Sequence, residues 1–322
     1  MAVLTRRGLL GAAAVLPLAA PALAAFPEQP VRVIVPWNPG GLADLVIRGI
    51  SPAMTELLGQ PVVVENRPGA NGAIGTQAVA RATPDGYTLI QANAETHAIN
   101  PLIYPRLGYD PLSHFTPVAV LVRAPFLLGA RPGLGVEDLQ GFLAMARAAP
   151  GKLTYASWGI GSIAHLALEA IIRHTGLQIL HVPFTGGSQG IAALMAGQVD
   201  VSLLNVRTAE TLVREGKAKL LAAGTAERIP LLPDIPTLTE LGVPVEVANW
   251  FGLLGPAGMP AATAERISKA AADAARTPLV QGLIRNWSAL PVFSTPEETR
   301  AFIVRDRERW APVVRDLNLR LE

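Results

Sequence analysis

The sequence contains no cysteine, which excludes disulfide bonds, thiolate metal sites and cysteine nucleophiles. Charged residues are also scarce: they make up 16% of the 322 positions, whereas hydrophobic residues make up 50%. A chain this apolar can bury a large core, which argues against a disordered protein. After position 24, the apolar runs stay far below the roughly 18 residues that a membrane-spanning helix needs. We therefore expect a globular chain without a transmembrane segment in that part.

An excess of basic charge is lacking as well. The formal net charge is +2, and Arg6 and Arg7 account for it, because the other 25 basic residues equal the 25 acidic residues in number. Nucleic acids are bound through clustered Lys and Arg side chains, which raise the net charge of a domain. We therefore expect no nucleic-acid partner.

Residues 1–24 have the pattern of an export signal peptide. A pair of arginines precedes the apolar stretch GLLGAAAVLPLAA, and the segment ALA at positions 22–24 matches a small-residue cleavage site. The apolar stretch is short and contains Pro17, which argues against a retained membrane anchor. We expect cleavage near Ala24 and export of the mature chain, by either the general or the twin-arginine route.

Strand and helix patterns alternate along the chain in two blocks. In the first block, short β-branched runs such as VRVIV and PVVVEN are separated by segments with one apolar face. The first of these predicted helices has its apolar positions at Val46, Ile50, Met54 and Leu57. The same order recurs after position 125, and the C-terminal part is helical, with a capping box that begins at Thr295. This alternation predicts an α/β protein with two lobes, each a mostly parallel sheet flanked by helices.

The two blocks also predict how the chain divides. We assign residues 25–124 and 249–322 to lobe 1 and residues 125–248 to lobe 2, because the C-terminal helices most simply return to the first block. The chain would then cross between the lobes twice, near 122–127 and near 246–251. A double crossing of this kind makes a hinge.

Three loops share one design: a strand end, then glycine, then the start of a helix. They are PWNPGG at 36–41, SWGIGS at 157–162 and PFTGGSQ at 183–189. Glycine lets backbone N–H groups approach a ligand, and a helix start leaves N–H donors without partners. In open α/β sheets such loops lie at the carboxyl ends of strands, where ligands bind. The loops therefore predict an anion site made of main-chain amides. Asp44 either caps the first helix, orients the loop, or accepts a hydrogen bond from a ligand hydroxyl or ammonium group.

Other motifs in these loops favour different functions. The segment GIGSIA (159–164) matches a dinucleotide-binding turn, but no acidic residue ends the strand that follows. Ser162 and His165 could form a hydrolase pair, although the order G-x-G-S differs from a nucleophile elbow. The five histidines show no metal-binding spacing. We expect no cofactor, no metal and no enzymatic activity, and the Ser/His hydrolase stays the rival function.

Seven segments taken together resemble the periplasmic solute-binding proteins of tripartite tricarboxylate transporters, the Bug family. In chain order they are PWNPGGLAD, GQPVVVENRPGANGAIG, PDGYTL, THAINPLIY, LTYASWGIGSIAHLALE, HVPFTGGSQGIAALMAGQVD and LLPDIPTLTELG. The resemblance extends from about Phe26 to the C-terminus. It implies a periplasmic-binding-protein (Venus flytrap) fold whose lobes close on a small organic carboxylate. It also implies a monomer that delivers its ligand to the membrane permease subunits of such a transporter or to a sensor kinase.

The resemblance further implies which residues hold the ligand. Most of them belong to the three glycine loops, and the segments ANAETHAIN and LLN supply the others. The expected residues are Trp37, Asn38, Gly40, Gly41, Asp44, Asn93, Thr96, Ser157, Trp158, Gly159, Gly161, Ser162, Thr185, Gly186, Gln189 and Asn205.

Three of these positions depart from the family pattern. Asn38 stands where a proline is common, Trp158 where a small residue is usual, and Thr185 where Lys or Arg is common. Asn38 adds a polar contact, Trp158 takes volume or stacks, and Thr185 removes one attraction for negative charge. Trp158 and Thr185 therefore favour an aromatic carboxylate or a monocarboxylate over the di- and tricarboxylates of the family.

Overall fold

The computed structural model describes residues 26–321, so the expected signal peptide at residues 1–24 lies outside the described residues. Strands and helices alternate through most of this part. None of its helices has both the length and the hydropathy that a bilayer span requires. In chain order the elements are β1 (Val31–Val35), α1 (Leu42–Leu58), β2 (Val62–Asn66), α2 (Ala73–Ala80), β3 (Thr88–Asn93), α3 (Asn100–Ile103), β4 (Phe115–Ala130), α4 (Leu139–Ala148), β5 (Thr154–Ser157), α5 (Ile163–Thr175), β6 (Leu180–Pro183), α6 (Gly187–Met195), β7 (Val201–Asn205), α7 (Val206–Arg214), β8 (Lys219–Ala223), β9 (Ala248–Pro256), α8 (Ala261–Ala274), α9 (Pro278–Trp287), β10 (Leu290–Pro291) and α10 (Pro296–Asp316).

Two strands, β4 and β9, connect two groups of strands. The strand order is β2-β1-β3-β9-β4-β7-β5-β6, and β8 and β10 also pair with β4. Pairing is parallel within β2-β1-β3 and within β6-β5-β7, and antiparallel wherever β4 or β9 takes part. The parallel pairs come from strand–helix–strand crossovers, whereas β4 and β9 run against their neighbours as they pass between the groups. The sheet is therefore mixed, with two parallel groups joined by antiparallel strands.

β4 is one long strand of 16 residues, and it runs from the first block of the sequence into the second. Its residues 115–125 pair with β9, and its residues 126–130 pair with β7 and β8. The partners change between Pro125 and Phe126, where Phe126 N donates to Val247 O at 3.0 Å. The outgoing and the returning chain therefore lie side by side at this point.

The packing of α1 follows its apolar pattern except in the last turn. Val46, Ile50 and Met54 are buried, as their spacing predicts. The prediction for Leu57 is wrong, because that side chain is 44% exposed. Leu58, four residues after Met54, is buried in its place, since residues four apart lie on the same face of a helix.

α10 contacts elements of both strand groups. It begins with the predicted capping box at Thr295. Trp250 Nε1 of β9 donates to Asp306 Oδ2 at 2.7 Å, and Arg173 of α5 forms a salt bridge with Asp316. The C-terminal helix therefore contacts elements of the first group and also reaches a helix of the second.

A π-helical turn (Glu95–Ile99) follows β3 and leads into α3. All five of its residues are buried. The turn faces α10 and lies beside β9, because Ala94 N donates to Asn249 Oδ1 at 3.2 Å. This turn places a buried acidic residue, Glu95, close to the start of α5.

Candidate functional site

The three glycine loops lie at the carboxyl ends of three strands. The first follows β1 and leads into α1, the second follows β5 and leads into α5, and the third follows β6 and leads into α6. The N-cap residues of these helices are Gly41, Ser162 and Gly186. The design predicted from the sequence is therefore present in each loop.

Asp44 holds the first loop in place. Its carboxylate is almost completely buried and accepts hydrogen bonds from Gly40 N (3.0 Å), Asn66 Nδ2 (2.9 Å) and Arg48 Nε (2.9 Å). Asn66 Nδ2 also donates to the carbonyl of Trp37 at 3.0 Å, which fixes β2 to the loop. Gly40 has φ +83°, a left-handed conformation that favours glycine. Asp44 therefore orients the loop, and protein donors occupy its oxygens.

The same donors determine the pKa of Asp44. Burial would raise the pKa of this carboxyl, but the N–H of Gly40, the amide of Asn66 and the guanidinium of Arg48 together hold it below its ordinary value. Sequence reasoning did not single out Arg48, although a position four residues after an acid on a helix is the usual spacing of an ion pair. The guanidinium of Arg48 thus donates hydrogen bonds to both Asp44 and Asn66 beside the first loop.

The second loop uses many of its backbone N–H groups within the protein. Gly159 N donates to Ser157 Oγ at 3.2 Å. Gly161 N donates to the ring Nδ1 of His165 at 3.2 Å. Ser162 N donates to the carbonyl of Gly159 at 3.1 Å, and the Ser162 side chain caps α5 by accepting from His165 N at 3.3 Å. These donors are already engaged, so they contribute less to an anion site than the sequence suggested.

The hydrolase pair that the sequence left open is not formed. Ser162 Oγ receives the backbone N–H of His165, while the His165 ring accepts from Gly161. Instead, Ser157 Oγ lies 2.6 Å from His181 Nε2, and the rings of His181 and His165 stack with centroids 4.2 Å apart. Burial lowers the pKa of both histidines to about 4, so both rings are neutral at pH 7. The stacked rings of His165 and His181 thus pack against the second loop.

The third loop is exposed at its start. Thr185 N and Thr185 Oγ1 both donate to Gln189 Oε1, at 3.2 and 2.7 Å. Gly186 has an extended backbone with φ −177°, and a Cβ placed on it would have no neighbour within 4 Å in the described part of the chain. The start of α6 is therefore open to a ligand.

The helix starts differ in whether a side chain caps them. Ser162 caps α5, and Asn205 caps α7 by accepting from Thr208 N at 2.9 Å. By contrast, α1 and α6 begin at Gly41 and Gly186 without a side-chain cap. The first N–H groups of an uncapped helix carry partial positive charge and bind anions. The geometry favours α1 and α6 as the anion-binding ends, and it gives Ser162 and Asn205 a capping role.

Asn93 and Thr96 form a tight turn next to the first loop. Thr96 N and Thr96 Oγ1 each lie 3.1 Å from Asn93 Oδ1, and both residues are buried. A Cβ placed on Gly72 would lie 2.7 Å from Thr96 Cγ2 and 3.2 Å from Trp37 Cζ2. Trp37 and the turn thus meet at Gly72. The indole Nε1 of Trp37 is buried there without a hydrogen-bond partner among the described residues.

Trp158 lies close to three separate parts of the fold. Its Nε1 donates to Glu95 Oε1 at 3.4 Å, and its ring lies 5.3 Å from that of Phe126, which pairs with Asn205 in the sheet. A Cβ placed on Gly187 would lie 3.8 Å from Trp158 Cε3. The indole therefore contacts the turn after β3 and strand β4, and it lies beside the start of α6.

Glu95 is a functional candidate that the sequence analysis missed. The residue is 1% exposed, and its Oε2 accepts from Asn249 Nδ2 at 2.9 Å, while its Oε1 accepts from Ile163 N at 3.4 Å. Burial raises the pKa of Glu95, and these hydrogen bonds offset that effect in part. The signal in the sequence was a single acidic residue within the apolar and amide-rich segment ANAETHAIN.

Asn38 is exposed on the first loop, beside the glycines.

Within residues 26–321, no group of three or more His, Cys, Asp or Glu side chains is arranged to hold a metal ion. The candidate site therefore consists of uncapped helix starts, amide and hydroxyl groups, two tryptophans and one buried acid.

Comparison with known proteins places the chain in one family. Residues 46–319 match the model of the tripartite tricarboxylate transporter family receptor, TctC. The periplasmic binding protein BugD is 30% identical, and its structure superposes with a TM-score of 0.82 over 92% of this chain and 100% of BugD. The R. palustris protein Rpa4515, solved with adipate, is 33% identical, with a TM-score of 0.83 over 90% of this chain and 97% of that protein. MatC from Rhodopseudomonas palustris, solved with bound malate, is 34% identical, with a TM-score of 0.80 over 90% of this chain and 100% of MatC.

These similarities extend over both groups of strands, so the two-lobed α/β fold predicted from the sequence is confirmed. The matching family consists of binding proteins rather than enzymes, which removes the hydrolase as a rival. The chain belongs to the tripartite tricarboxylate transporter receptor family, also called the TctC or Bug family, of periplasmic solute-binding proteins.

Proposed function

We propose that this protein binds a small organic carboxylate between its two lobes in the periplasm and delivers it to the permease subunits of a tripartite tricarboxylate transporter. The observation that carries the proposal is the pair of uncapped helix starts, Gly41 of α1 and Gly186 of α6. Two related structures hold adipate and malate, which are carboxylates, and they support this ligand class.

We keep the division into lobes that the sequence predicts: residues 25–124 and 249–322 form lobe 1, and residues 125–248 form lobe 2. The change of pairing partners within β4, at Pro125 and Phe126, supports a boundary there. α1 then belongs to lobe 1 and α6 to lobe 2. A carboxylate held by both helix starts binds the closed arrangement better than an open one, so the ligand itself favours closure.

The two helix starts supply attraction without a charged partner. One helix end contributes about 0.3–1 kcal/mol at an exposed site and up to about 2 kcal/mol when partly buried. We assign the carboxylate to Asn38, Gly41, Thr185, Gly186 and Gln189. Trp37 and Trp158 form walls, and the framework consists of Gly40, Asp44, Asn93, Thr96, Ser157, Gly159, Gly161, Ser162 and Asn205.

The ligand is an aromatic carboxylate or a monocarboxylate. Trp158 offers a partly buried aromatic face beside the start of α6. Thr185, which is exposed on the third loop, brings no positive charge for a second or third carboxylate. Both features act against highly charged ligands such as citrate.

Isothermal titration calorimetry of the purified protein tests the ligand class. The panel comprises benzoate, 4-(aminomethyl)benzoate, hexanoate, adipate, malate and citrate. We expect saturable binding of at least one carboxylate and weaker binding of citrate than of the aromatic acids. No saturable heat with any member would contradict the ligand class, and a preference for citrate would contradict the assigned selectivity.

Closure and delivery need separate measurements. Small-angle X-ray scattering should show a smaller radius of gyration once the identified ligand is added, because the lobes approach each other. Cells that lack this protein should lose uptake of that ligand and regain it when the gene is restored. Unchanged uptake would mean that the bound solute serves a process other than transport.

A further inference from the structure

Glu95 is a buried acid that spans the boundary between the two lobes. It lies in the turn after β3, while two of its donors, Trp158 Nε1 and Ile163 N, belong to the second loop and α5. The third donor, Asn249 Nδ2, belongs to β9. Among residues 26–321, no Lys, Arg or His forms a salt bridge with Glu95.

The orientation of Asn249 shows which form of Glu95 the site accommodates. Asn249 Oδ1 accepts from Ala94 N at 3.2 Å and from Trp250 N at 2.9 Å. The amide nitrogen must therefore point to Glu95 and donate. The groups that contact the Glu95 carboxyl thus all donate hydrogen bonds, which is the arrangement that a carboxylate needs.

A second buried acid shows what Glu95 lacks. Asp306 is also buried and also accepts from an indole, Trp250 Nε1, at 2.7 Å. Asp306 has a guanidinium partner as well, since Arg309 Nη2 lies 2.7 Å from its Oδ1. A buried carboxylate without a cation is costly. A positive group supplied by a ligand would remove this cost.

Two sets of contacts connect Glu95 to the loops that we assign to the ligand carboxylate. The indole of Trp158 donates to Glu95 through Nε1, and its Cε3 edge faces Gly187 at the start of α6. The next residue after Glu95, Thr96, meets Trp37 of the first loop at Gly72. The acid therefore lies between the two loops that we assign to the ligand carboxylate.

We propose that Glu95 determines specificity by pairing with a protonated nitrogen on the ligand, so that the solute is a carboxylate that also carries an ammonium group. The ligand carboxylate lies at the starts of α1 and α6, as in the proposed function on which this inference rests. The ammonium neutralises Glu95 and takes the place of the cation that the protein does not supply. A second carboxylate at the same position would face Glu95 and be repelled.

Ligands of matched length isolate the group that faces Glu95. We would measure affinities by calorimetry at pH 7 for 4-aminobutanoate, succinate and butanoate, for 6-aminohexanoate, adipate and hexanoate, and for 4-(aminomethyl)benzoate and terephthalate. In the series that fits the cleft best, the amino acid should bind about tenfold more tightly than the diacid, equivalent to roughly 1.4 kcal/mol.

Glu95→Gln tests whether this residue causes the preference. The substitution keeps the size of the side chain and removes its charge, so the ratio of amino-acid affinity to diacid affinity should fall about tenfold. Asp306→Asn is the matched control, because it neutralises another buried, indole-bonded acid that already has a cation. In Asp306→Asn the ratio of amino-acid affinity to diacid affinity should equal that of the wild type. Thermal unfolding shows whether each variant is folded.

The outcomes separate this inference from the proposed function. If no carboxylate binds, both are overturned. If carboxylates bind but the diacid matches or exceeds the amino acid in the wild type, the ammonium specificity is overturned and the carboxylate function stands. An unchanged ratio in folded Glu95→Gln overturns the role of Glu95. If that variant does not fold, the wild-type ratio decides the ligand class.

Discussion

The backbone N–H of Gly40 donates to Asp44 Oδ2 at 3.0 Å, which closes the first loop onto the helix that follows it. Arg48 and Asn66 donate to the other oxygen, so the carboxylate joins the loop, α1 and β2. The exposed face of this loop is thus shaped by an acid that is itself buried. The shape of an anion site can depend on a negative charge when that charge is fully hydrogen-bonded.

Asp44→Asn should weaken both stability and carboxylate binding. The amide would present N–H groups to at least one of three donors and lose the ion pair with Arg48, which we expect to lower the free energy of unfolding by about 1–3 kcal/mol. Urea denaturation and calorimetry measure the two effects. Asp138→Ala is the control: it removes a cap that accepts from Gly141 N at 2.8 Å in α4, outside the three glycine loops. If Asp44→Asn lowers stability but leaves carboxylate affinity unchanged, Asp44 has no role in ligand binding.

Gly41→Val should weaken ligand binding and leave the fold intact. The φ of Gly41 is −73°, which any residue adopts, and a Cβ there would meet only the carbonyl of Asn38, at 3.7 Å, among the described residues. The larger side chain would crowd the carboxylate at the start of α1. We expect roughly tenfold weaker binding or more, since a partly buried helix-end interaction is worth up to about 2 kcal/mol.

Gly186→Val tests the other helix start in the same way, because its backbone is extended and its surroundings are open. Gly282→Val on α9 serves as the control glycine. Calorimetry gives the affinities and circular dichroism reports the fold. Wild-type affinity in a folded Gly41→Val or Gly186→Val protein would remove that helix from the binding site.

Ser162→Ala and Asn205→Ala should act on stability more than on affinity. Both side chains cap helices, at 3.3 Å from His165 N and 2.9 Å from Thr208 N. Loss of an N-cap typically lowers the free energy of unfolding by about 1 kcal/mol. Urea denaturation with parallel calorimetry distinguishes the roles, because a large loss of affinity at unchanged stability would make these residues ligand contacts.

The three buried histidines should make the protein less stable as the pH falls from about 6.5 to about 4. Burial lowers the pKa of His97 to about 3 and the pKa values of His165 and His181 to about 4, from an ordinary value of 6.5. Below pH 6.5 the unfolded chain therefore binds protons that the folded chain does not, and the free energy of unfolding decreases. The stability contributed by Asp44 is lost only at lower pH, because its pKa in the folded protein lies below 3.8.

Urea denaturation at several pH values checks this window. A double variant with His165→Gln and His181→Gln should show a shallower decrease, since His97 alone of the three would then resist protonation. The same slope in the variant and the wild type would mean that other groups govern the acid sensitivity.

Local features of the fold could be predicted because they depend on residues close in sequence. The break after β1 follows from the glycines of PWNPGG, and Gly40 indeed adopts φ +83°. Gly59 and Gly176 end their helices in the left-handed conformation, and the capping box at Thr295 forms as its spacing predicts. Each of these features is completed within about four residues of chain.

The polar partners of the site could not be predicted in the same way. Glu95 and Asn249 are 154 positions apart, and Asp44 meets Asn66 across 22 positions. The sequence drew attention to Ser162 and His165, whereas the bonded pair is Ser157 and His181 on neighbouring strands. The register of β5 against β6 makes that contact, and no short motif encodes the register.

By itself the sequence determined the order of strands and helices, the three glycine loops and the family, because periodicity, caps and turns are local properties of the chain. Only the tertiary structure decided which N–H groups those loops still offer, and that Glu95 is buried without a cation. Hydrogen-bond donors and charges are satisfied by whichever groups packing brings near, and packing joins residues that are distant in sequence.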